Sequence, residues 1–71
     1  EVPLLPWLRS GLKSYIFDEV LQDDFIREQQ IFNLSHIQQL KKQLMSNNPG
    51  DATAKVWALV VFQNFYKKYL L

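Results

Sequence analysis

The sequence predicts an all-α fold: a small bundle of about four helices, one of them short, with the C-terminal helix at its centre. Apolar residues recur at helical spacing in residues 7–21 and again in residues 34–45. Residues 54–71 form the most apolar run of the chain. A helix that is apolar around most of its circumference is usually buried, so we expect the other segments to pack around it. With 71 residues, we expect one domain over residues 1–71.

The composition argues against several classes of binding site. The chain has no cysteine and one histidine, which excludes a disulfide, a thiolate metal site and a histidine-rich zinc site. The net charge is +1, whereas a protein that binds nucleic acid through its phosphates presents a basic face. We therefore expect no metal, cofactor or nucleic acid to bind this chain.

The apolar run in residues 54–71 is long enough to span a membrane, but polar residues interrupt it at Gln63, Asn64, Lys67 and Lys68. We therefore expect a core helix and no membrane partner. No signal-peptide pattern precedes the first helix, and the lack of cysteine is compatible with the cytoplasm. Because 48% of the residues are hydrophobic and the chain begins at Glu1, we expect it to be a piece of a larger protein.

The first element is an extended stretch over residues 1–6, since Pro3 and Pro6 push the residues before them away from the α region. Pro6 then suits the first position of a helix, where its missing N–H is not needed. That helix extends to residue 21. Gly11 inside it costs about 1 kcal/mol relative to alanine, which indicates either a close packing contact or simple tolerance.

Aspartates separate this helix from a short one. Asp23 or Asp24 is expected to cap a helix over residues 24–30. Together with Asp18 and Glu19 they form the densest acidic group of the chain. The group lacks the glycine and the alternating oxygen ligands of a calcium loop, so capping and a solvated face are favoured over a divalent-cation site.

A short connector, residues 31–33, leads to the next helix. Ile31 and Phe32 are expected to insert into the core, and Asn33 is expected to cap a helix over residues 34–45. The apolar stripe of that helix contains Ile37, Leu40, Leu44 and Met45. His36 has no serine, cysteine or acidic neighbour in sequence, so we assign it no catalytic role.

The clearest break in the chain is SNNPGD, residues 46–51. Asn47 or Asn48 is expected to end the preceding helix in the left-handed conformation, and Asp51 is expected to start the central helix. Lysines in the last turn of that helix oppose the negative end of its dipole. The two glycines lie far apart, so no glycine-rich phosphate loop is present.

Three phrases follow one another along the chain: VPLLPWLRSGL, IFNLSHIQQL and, after an Asp-containing break, KVWALVVFQNFYKKY. This order resembles the extreme C-terminal part of the glutamine-hydrolysing asparagine synthetases. There, a "GF-x-x-P" phrase leads into "WLR-x-x-L", then "G-[LI]-[FL]-[DN]-P-x-x-[VI]-x-x-L", and finally "x-LW-x-LL-x-F-x-x-W". The matching residues are Pro3, Trp7, Leu8, Arg9, Leu12, Ile31, Phe32, Asn33, Ile37, Leu40, Asp51, Trp57, Leu59, Val60 and Phe62.

The chain departs from these phrases at a few positions. Gln30 stands where the family usually has glycine, Leu34 where it has proline, and Met45 where histidine is common. Phe65 or Tyr66 replaces the final tryptophan. The first two changes weaken a helix stop and a helix start, but both remain compatible with the predicted helices.

The resemblance implies a parent enzyme with two active sites. One domain hydrolyses glutamine to ammonia with an N-terminal cysteine. A synthetase domain uses ATP and Mg²⁺ to adenylate aspartate, and ammonia then displaces AMP to form asparagine. The family's "SGG-x-D-S" phosphate loop and its magnesium-binding acids are absent from this chain, so we carry over no catalytic residue.

The role implied for this chain is structural, as a helical part of the synthetase domain, and its partner is the rest of that domain. Trp7, Trp57 and Phe62 are expected to be packing anchors of the core. Freed from its neighbours, the chain would expose apolar surface and self-associate. The alternative is an independent helical module that binds a partner helix. A helix-turn-helix DNA reader fits less well, because the helix with Lys41 and Lys42 is otherwise glutamine-rich.

Overall fold

A computed structural model describes residues 4–71, and over this range the chain is all-α, which confirms the predicted fold class. The helices are α1 (Leu4–Arg9), α2 (Lys13–Tyr15), which continues directly into a π turn (Ile16–Val20), α3 (Asp23–Gln29), α4 (Leu34–Leu44) and α5 (Ala52–Tyr69). Counting α2 and the π turn as one helix, the described range contains five helices, of which four have at least seven residues, in line with the predicted bundle of about four.

The long C-terminal helix α5 is central, as predicted, because it packs against α1, the π turn and α4. Its buried residues recur every three or four positions along one face. They join residues of the other elements in a continuous core of Leu8, Ile16, Val20, Leu21, Ile26, Ile37, Leu40, Leu44, Ala52, Val56 and Val60. Met45, expected to extend the stripe of α4, is 40% exposed.

The expectation that α5 is buried around most of its circumference is wrong. Val61 and Phe65, on the side away from the core, are 51% and 52% exposed. A chain of this size buries only about 60% of the surface that its unfolded form exposes. The shorter helices cover one face of α5 and leave an apolar face uncovered.

The helix predicted over residues 7–21 is interrupted at residues 10–12. The Leu12 N–H donates to the carbonyl of Trp7 at 3.0 Å, five residues back, and the Lys13 N–H donates to Ser10 at 3.3 Å. A Cβ atom at Gly11 would lie 2.8 Å from Cδ1 of the Trp7 indole. Of the two explanations for this glycine, the close packing contact is therefore the correct one.

Helix α1 begins at Leu4, earlier than predicted, so the extended expectation is wrong for residues 4–6. Pro6 lies in the first turn but is not the first helical residue. A proline is tolerated there because the first N–H groups of a helix have no intrahelical acceptor. Leu4 and Leu5 pack against the core, which favours starting the helix before Pro6. Pro3 and the rest of residues 1–3 lie outside the described residues.

Helix α3 is capped by Gln22, whose side chain accepts a hydrogen bond from the Phe25 N–H at 2.9 Å. The prediction that Asp23 or Asp24 is the cap is wrong, since both lie inside the first turn, where their charges favour the helix dipole. The helix ends at Gln30, which has φ 56° and ψ 34°. It is the one non-glycine residue with positive φ in residues 4–71.

Helix α4 begins as predicted, with the Asn33 side chain accepting from the His36 N–H at 3.0 Å. The end of α4 differs from the prediction. The helix closes at Met45 with φ −90° and ψ 0°, and neither Asn47 nor Asn48 is left-handed. The left-handed residue of this break is Gly50, with φ 57°, because glycine adopts positive φ without a Cβ clash.

Helix α5 starts two residues before the predicted run. Asp51 occupies the N-cap position, as predicted, but its side chain makes no capping hydrogen bond. Its carboxylate instead forms an exposed ion pair with Lys55 at 3.4 Å. Lys67 and Lys68 lie in the last turn, the favourable end for cations.

Candidate interaction surface

The two tryptophans form a pair that joins α1 to α5. The ring centroids of Trp7 and Trp57 are 6.2 Å apart, with the ring planes tilted by 36°. Trp7 is 44% exposed and Trp57 is 37% exposed, and Phe62 is 36% exposed. The prediction that these three side chains are core residues is therefore wrong. Each ring contacts at least one other aromatic ring and stays partly exposed, because the helices packed around α5 are too short to enclose large rings.

A cation joins α1 to the end of α4. Nε of Arg9 donates to the carbonyl of Leu44 at 2.7 Å, and its terminal nitrogen donates to the carbonyl of Ser46. Carbonyls in the last turn of a helix have no intrahelical donor, and a cation at this end also opposes the helix dipole. Arg9 thus stabilises the C-terminus of α4 and fixes α1 beside it.

The buried polar side chain of the described part is Gln63, on the core face of α5. Its Nε2 donates to the carbonyl of Val20 at 2.8 Å and to Oε1 of Gln29, also at 2.8 Å. Its Oε1 accepts from Nε2 of Gln29 at 2.7 Å. Gln63 therefore ties the last residue of the π turn and the last turn of α3 to the central helix.

A further polar contact joins α4 to the start of α3. Nζ of Lys41 donates to the carbonyl of Leu21 at 2.7 Å and to Asp23 at 3.3 Å, and Gln38 also donates to Asp23 at 3.0 Å. The hydrogen bonds from Gln38 and Lys41 hold the pKa of Asp23 below its ordinary value. Two polar side chains of α4 thus make tertiary contacts with the segment that leads into α3.

The acidic group of the sequence is dispersed. Asp24 pairs with Arg27 at 2.7 Å, while Asp18 and Glu19 are exposed on the π turn. Within residues 4–71, no group of three or more histidine, cysteine or carboxylate side chains is arranged to hold a metal ion. These acidic side chains therefore accept hydrogen bonds, form an ion pair or face solvent.

An open apolar groove of about 370 Å³ lies between α4 and α5. Its lining residues are Phe32, His36, Ile37, Leu40, Lys55, Ala58, Leu59 and Phe62. Phe32 was expected to insert into the core. It is partly buried against the core and meets Phe62 edge to face at a centroid distance of 5.7 Å. Ile31 was expected in the core and is instead 51% exposed, because the left-handed turn at Gln30 leaves it outside the bundle. We call the surface formed by the eight lining residues the α4/α5 groove.

The chemistry of the α4/α5 groove fits an apolar side chain better than a polar substrate. Most binding sites for small polar molecules present several convergent hydrogen-bonding groups. Here the ionisable lining residues are His36 and Lys55, both exposed to solvent, and the other six are apolar. A groove of this kind is typical of surfaces that receive part of another helix.

A second apolar surface lies on α5 itself. Trp57, Val61 and Phe65 recur every four residues and are 37%, 51% and 52% exposed. Residues four apart on a helix are neighbours on one face. We call these three residues the outer stripe. They share no residue with the lining of the α4/α5 groove.

None of the helices in residues 4–71 has both the length and the apolar character that crossing a membrane requires. No protein-family model matches this chain, and no curated protein and no solved structure is significantly similar to it. The phrases of the sequence and the geometry of the described residues are therefore the grounds on which a function is assigned.

Proposed function

We propose that this chain is the C-terminal structural part of a glutamine-dependent asparagine synthetase. The parent enzyme converts aspartate, glutamine and ATP into asparagine, glutamate, AMP and pyrophosphate in the cytoplasm, with Mg²⁺ bound beside ATP. Its catalytic motifs lie upstream of Glu1, and the residues of this chain support the synthetase domain. The partner of the chain is the rest of that domain.

The observation that supports this best is the backbone at Gln30. The synthetase phrase usually has glycine at this position, and Gln30 adopts φ 56°, in the left-handed region that glycine favours. For other residues, this conformation costs about 1–2 kcal/mol. The backbone therefore has the conformation that the family's glycine would explain, although this chain has glutamine there.

The next positions of the same phrase agree with the structure as well. The family has aspartate or asparagine where Asn33 caps α4. It has proline at the position of Leu34, which is the first residue of α4. Proline is favoured at the first position of a helix because its fixed φ suits the helix and its missing N–H is not needed.

The three phrases also meet in space. Trp7 of the first phrase pairs with Trp57 of the third, and Phe32 of the second packs against Phe62 of the third. Arg9 of the first phrase binds the carbonyl end of α4, the helix that the second phrase begins. Residues shared with the family phrases thus form the joints between the helices, as expected for a structural segment.

The α4/α5 groove is the surface that we assign to the rest of the synthetase domain. Its apolar lining is open to solvent, and an apolar side chain from another helix would cover it. Burying such a surface stabilises the contact by about 25 cal/mol for each Å² of apolar area removed from water. The segment would then hold neighbouring helices of the synthetase domain in place.

The test uses the protein encoded by the complete open reading frame that contains this chain. We expect pyrophosphate release that requires aspartate, ATP and Mg²⁺, and asparagine formation that requires glutamine or ammonia. A protein that releases no pyrophosphate with aspartate would refute the proposal. The docking assignment is tested separately with a matched pair of substitutions.

Phe62→Glu places a charge in the α4/α5 groove, whereas Phe65→Glu places the same charge on the outer stripe. We expect the first to lower the synthetase activity by at least tenfold and the second to leave it within about twofold of the parent. Circular dichroism of each variant checks that the helices persist. Equal activities of the two variants would contradict docking through the groove.

An independent helical interaction module is the second candidate, and the open α4/α5 groove is the observation that favours it. The reading frame upstream of Glu1 distinguishes the two candidates. A start codon directly before Glu1 supports the module, whereas an upstream frame that encodes an "SGG-x-D-S" loop supports the synthetase.

A further inference from the structure

Residues 23–32, which contain α3 and the connector to α4, are fastened to α5 by aromatic rings near both ends. Phe25 meets Tyr66 edge to face at a ring-centroid distance of 6.0 Å. Phe32 meets Phe62 in the same way at 5.7 Å. We call residues 23–32 the strap.

A strained residue lies between the fastening points of the strap. Gln30 has φ 56°, a conformation that residues other than glycine adopt only at a cost. Such strain persists where the surrounding contacts hold the backbone in place. Directly before it, Gln29 and Gln63 exchange two amide hydrogen bonds of 2.7 and 2.8 Å, and two residues after it comes the ring of Phe32. Opening the strap would therefore release the strain at Gln30.

The strap covers little of the core. Helix α3 fully buries one side chain, Ile26, whereas α4 fully buries three. The fastening side chains of the strap are half-buried, so water reaches their contacts. If the strap lifts, Gln63 still has the carbonyl of Val20 as a partner, because Val20 lies outside the strap. Segments with few buried apolar side chains open locally at a lower cost than the whole domain.

The residues that flank the strap have extended backbone. Gln22 has ψ 139° and Asn33 has ψ 117°, and each is the N-cap of the helix that follows it. Residues at the ends of helices commonly absorb the dihedral changes of a moving segment. Since α4 begins after Asn33, the strap can move without changing the hydrogen bonds inside α4.

We propose that the strap opens as one unit while α4 and α5 stay folded, and that this opening removes Phe32 from the wall of the α4/α5 groove. Phe32 is the strap residue that lines the groove, so the groove is complete only when the strap is closed. The seven residues of α3 unfold once detached, because isolated helices shorter than about 12–15 residues are marginal in water. This inference rests on the fold and is independent of the proposed function.

The first test is amide hydrogen exchange followed by NMR. Opening of the strap exposes the N–H groups of residues 26–29, whereas the N–H groups of residues 60–64 in the middle of α5 exchange only when the whole chain unfolds. After correction for intrinsic rates, we expect the strap amides to exchange at least tenfold faster, with a weaker dependence on low urea concentrations. Equal protection of the two sets would overturn the proposal.

The second test lowers the stability of the chain outside the strap. Gln39 and Lys42 are both exposed on α4, and replacing both by glycine should speed exchange at residues 60–64 at least fivefold, because glycine disfavours a helix. If the strap opens separately, its amides change by less than about twofold. Equal acceleration of both sets would show that the strap opens only with the whole chain and would overturn the proposal.

The third test asks whether Phe32 leaves the α4/α5 groove when α3 opens. Phe32→Leu removes the ring contact with Phe62, and circular dichroism checks that the helices persist. If that contact breaks on opening, the strap amides should exchange at least threefold faster in the variant, as the strength of an aromatic pair implies. Unchanged exchange would show that Phe32 stays in the groove, and would overturn the proposed link between the strap and the groove.

Discussion

Replacing Gln63 by methionine removes the amide from the core of the bundle while keeping a side chain of similar length. In the folded chain this amide makes hydrogen bonds of 2.7 to 2.8 Å to the Val20 carbonyl and to the amide of Gln29. Gln29 is half-buried and can turn to water when its partner is lost. The Val20 carbonyl lies beside a fully buried side chain and loses a donor that water replaces poorly.

The expected loss of stability comes mainly from the Val20 carbonyl, because Gln29 can turn to water and this carbonyl cannot. A buried carbonyl without its partner costs about 1–3 kcal/mol, and burying the methionine side chain offsets part of that loss, at about 0.8 kcal/mol for each methylene. We expect Gln63→Met to lower the free energy of unfolding by about 1–2 kcal/mol. In a domain of this size, each kcal/mol of lost stability lowers Tm by about 4–8 °C. Gln63→Ala adds the cost of a cavity, about 2 kcal/mol or more.

The assay is urea unfolding followed by circular dichroism, with Gln39→Met as the matched control. Gln39 is exposed on α4, so the same chemical change there should alter stability by no more than about 0.5 kcal/mol. If Gln63→Met were as stable as the control, the hydrogen bonds of Gln63 would contribute nothing measurable. The view that this residue joins α3 and the π turn to α5 would then be wrong.

Three further predictions concern single backbone and surface positions. Gln30→Gly should raise stability by about 0.5–1 kcal/mol, because glycine adopts positive φ without strain. The control, Glu28→Gly inside helix α3, should lower stability. If thermal unfolding showed lower stability for both variants, the prediction would be wrong. Gly11→Ala should cost about 1–2 kcal/mol by displacing the Trp7 indole, which NMR contacts between the indoles would report. The pKa of Asp23 is lowered in the folded chain, so its carboxylate stabilises the fold above the unfolded pKa of about 3.9, and this stabilisation is lost as pH falls through the folded pKa. The difference in free energy of unfolding between the parent and Asp23→Asn should therefore narrow below about pH 4. A difference that stays constant with pH would contradict this.

Helical periodicity was sufficient to predict the fold class, the central place of the C-terminal helix and most of the core. Asn33 was also predictable as a cap, because an asparagine directly before an apolar periodic run can accept a hydrogen bond from a free N–H group in the first turn of the helix. Features that depend on tertiary contacts were not predictable in this way. Nothing near Gln22 in sequence distinguishes it from the aspartates that follow, and the cap depends on where the chain enters α3.

The interruption of the first helix was the largest local error. Its apolar spacing is continuous from Leu8 to Val20, and only Gly11 indicated a break. The indole of Trp7 occupies the space where a Cβ would project, so the turn depends on a contact between residues four apart. The exposure of the aromatic residues was missed for a different reason: periodicity shows which residues share a face, but not whether the chain has enough other helices to cover it.

Gln63 illustrates the same limit. In the sequence it reads as a polar interruption of an apolar run, which argues correctly against a membrane span but suggests a solvent-facing side chain. The structure places it on the core face, where it satisfies a carbonyl of the π turn. A buried glutamine is recognisable only once its partners are known, since a polar side chain is stable in a core only when it is hydrogen-bonded.

The pairing of Trp7 with Trp57 gives the chain a built-in optical reporter. These are its two tryptophans. They lie 50 residues apart in the sequence, at positions 7 and 57, yet their ring centroids are 6.2 Å apart. Their fluorescence and near-ultraviolet signals therefore report a single event, the closure of the N-terminal helix onto the C-terminal one. The formation of individual helices, which needs only local contacts, is followed separately in the far ultraviolet. Comparing the two signals in one rapid-mixing experiment would show whether the ends of the chain meet before, with or after helix formation.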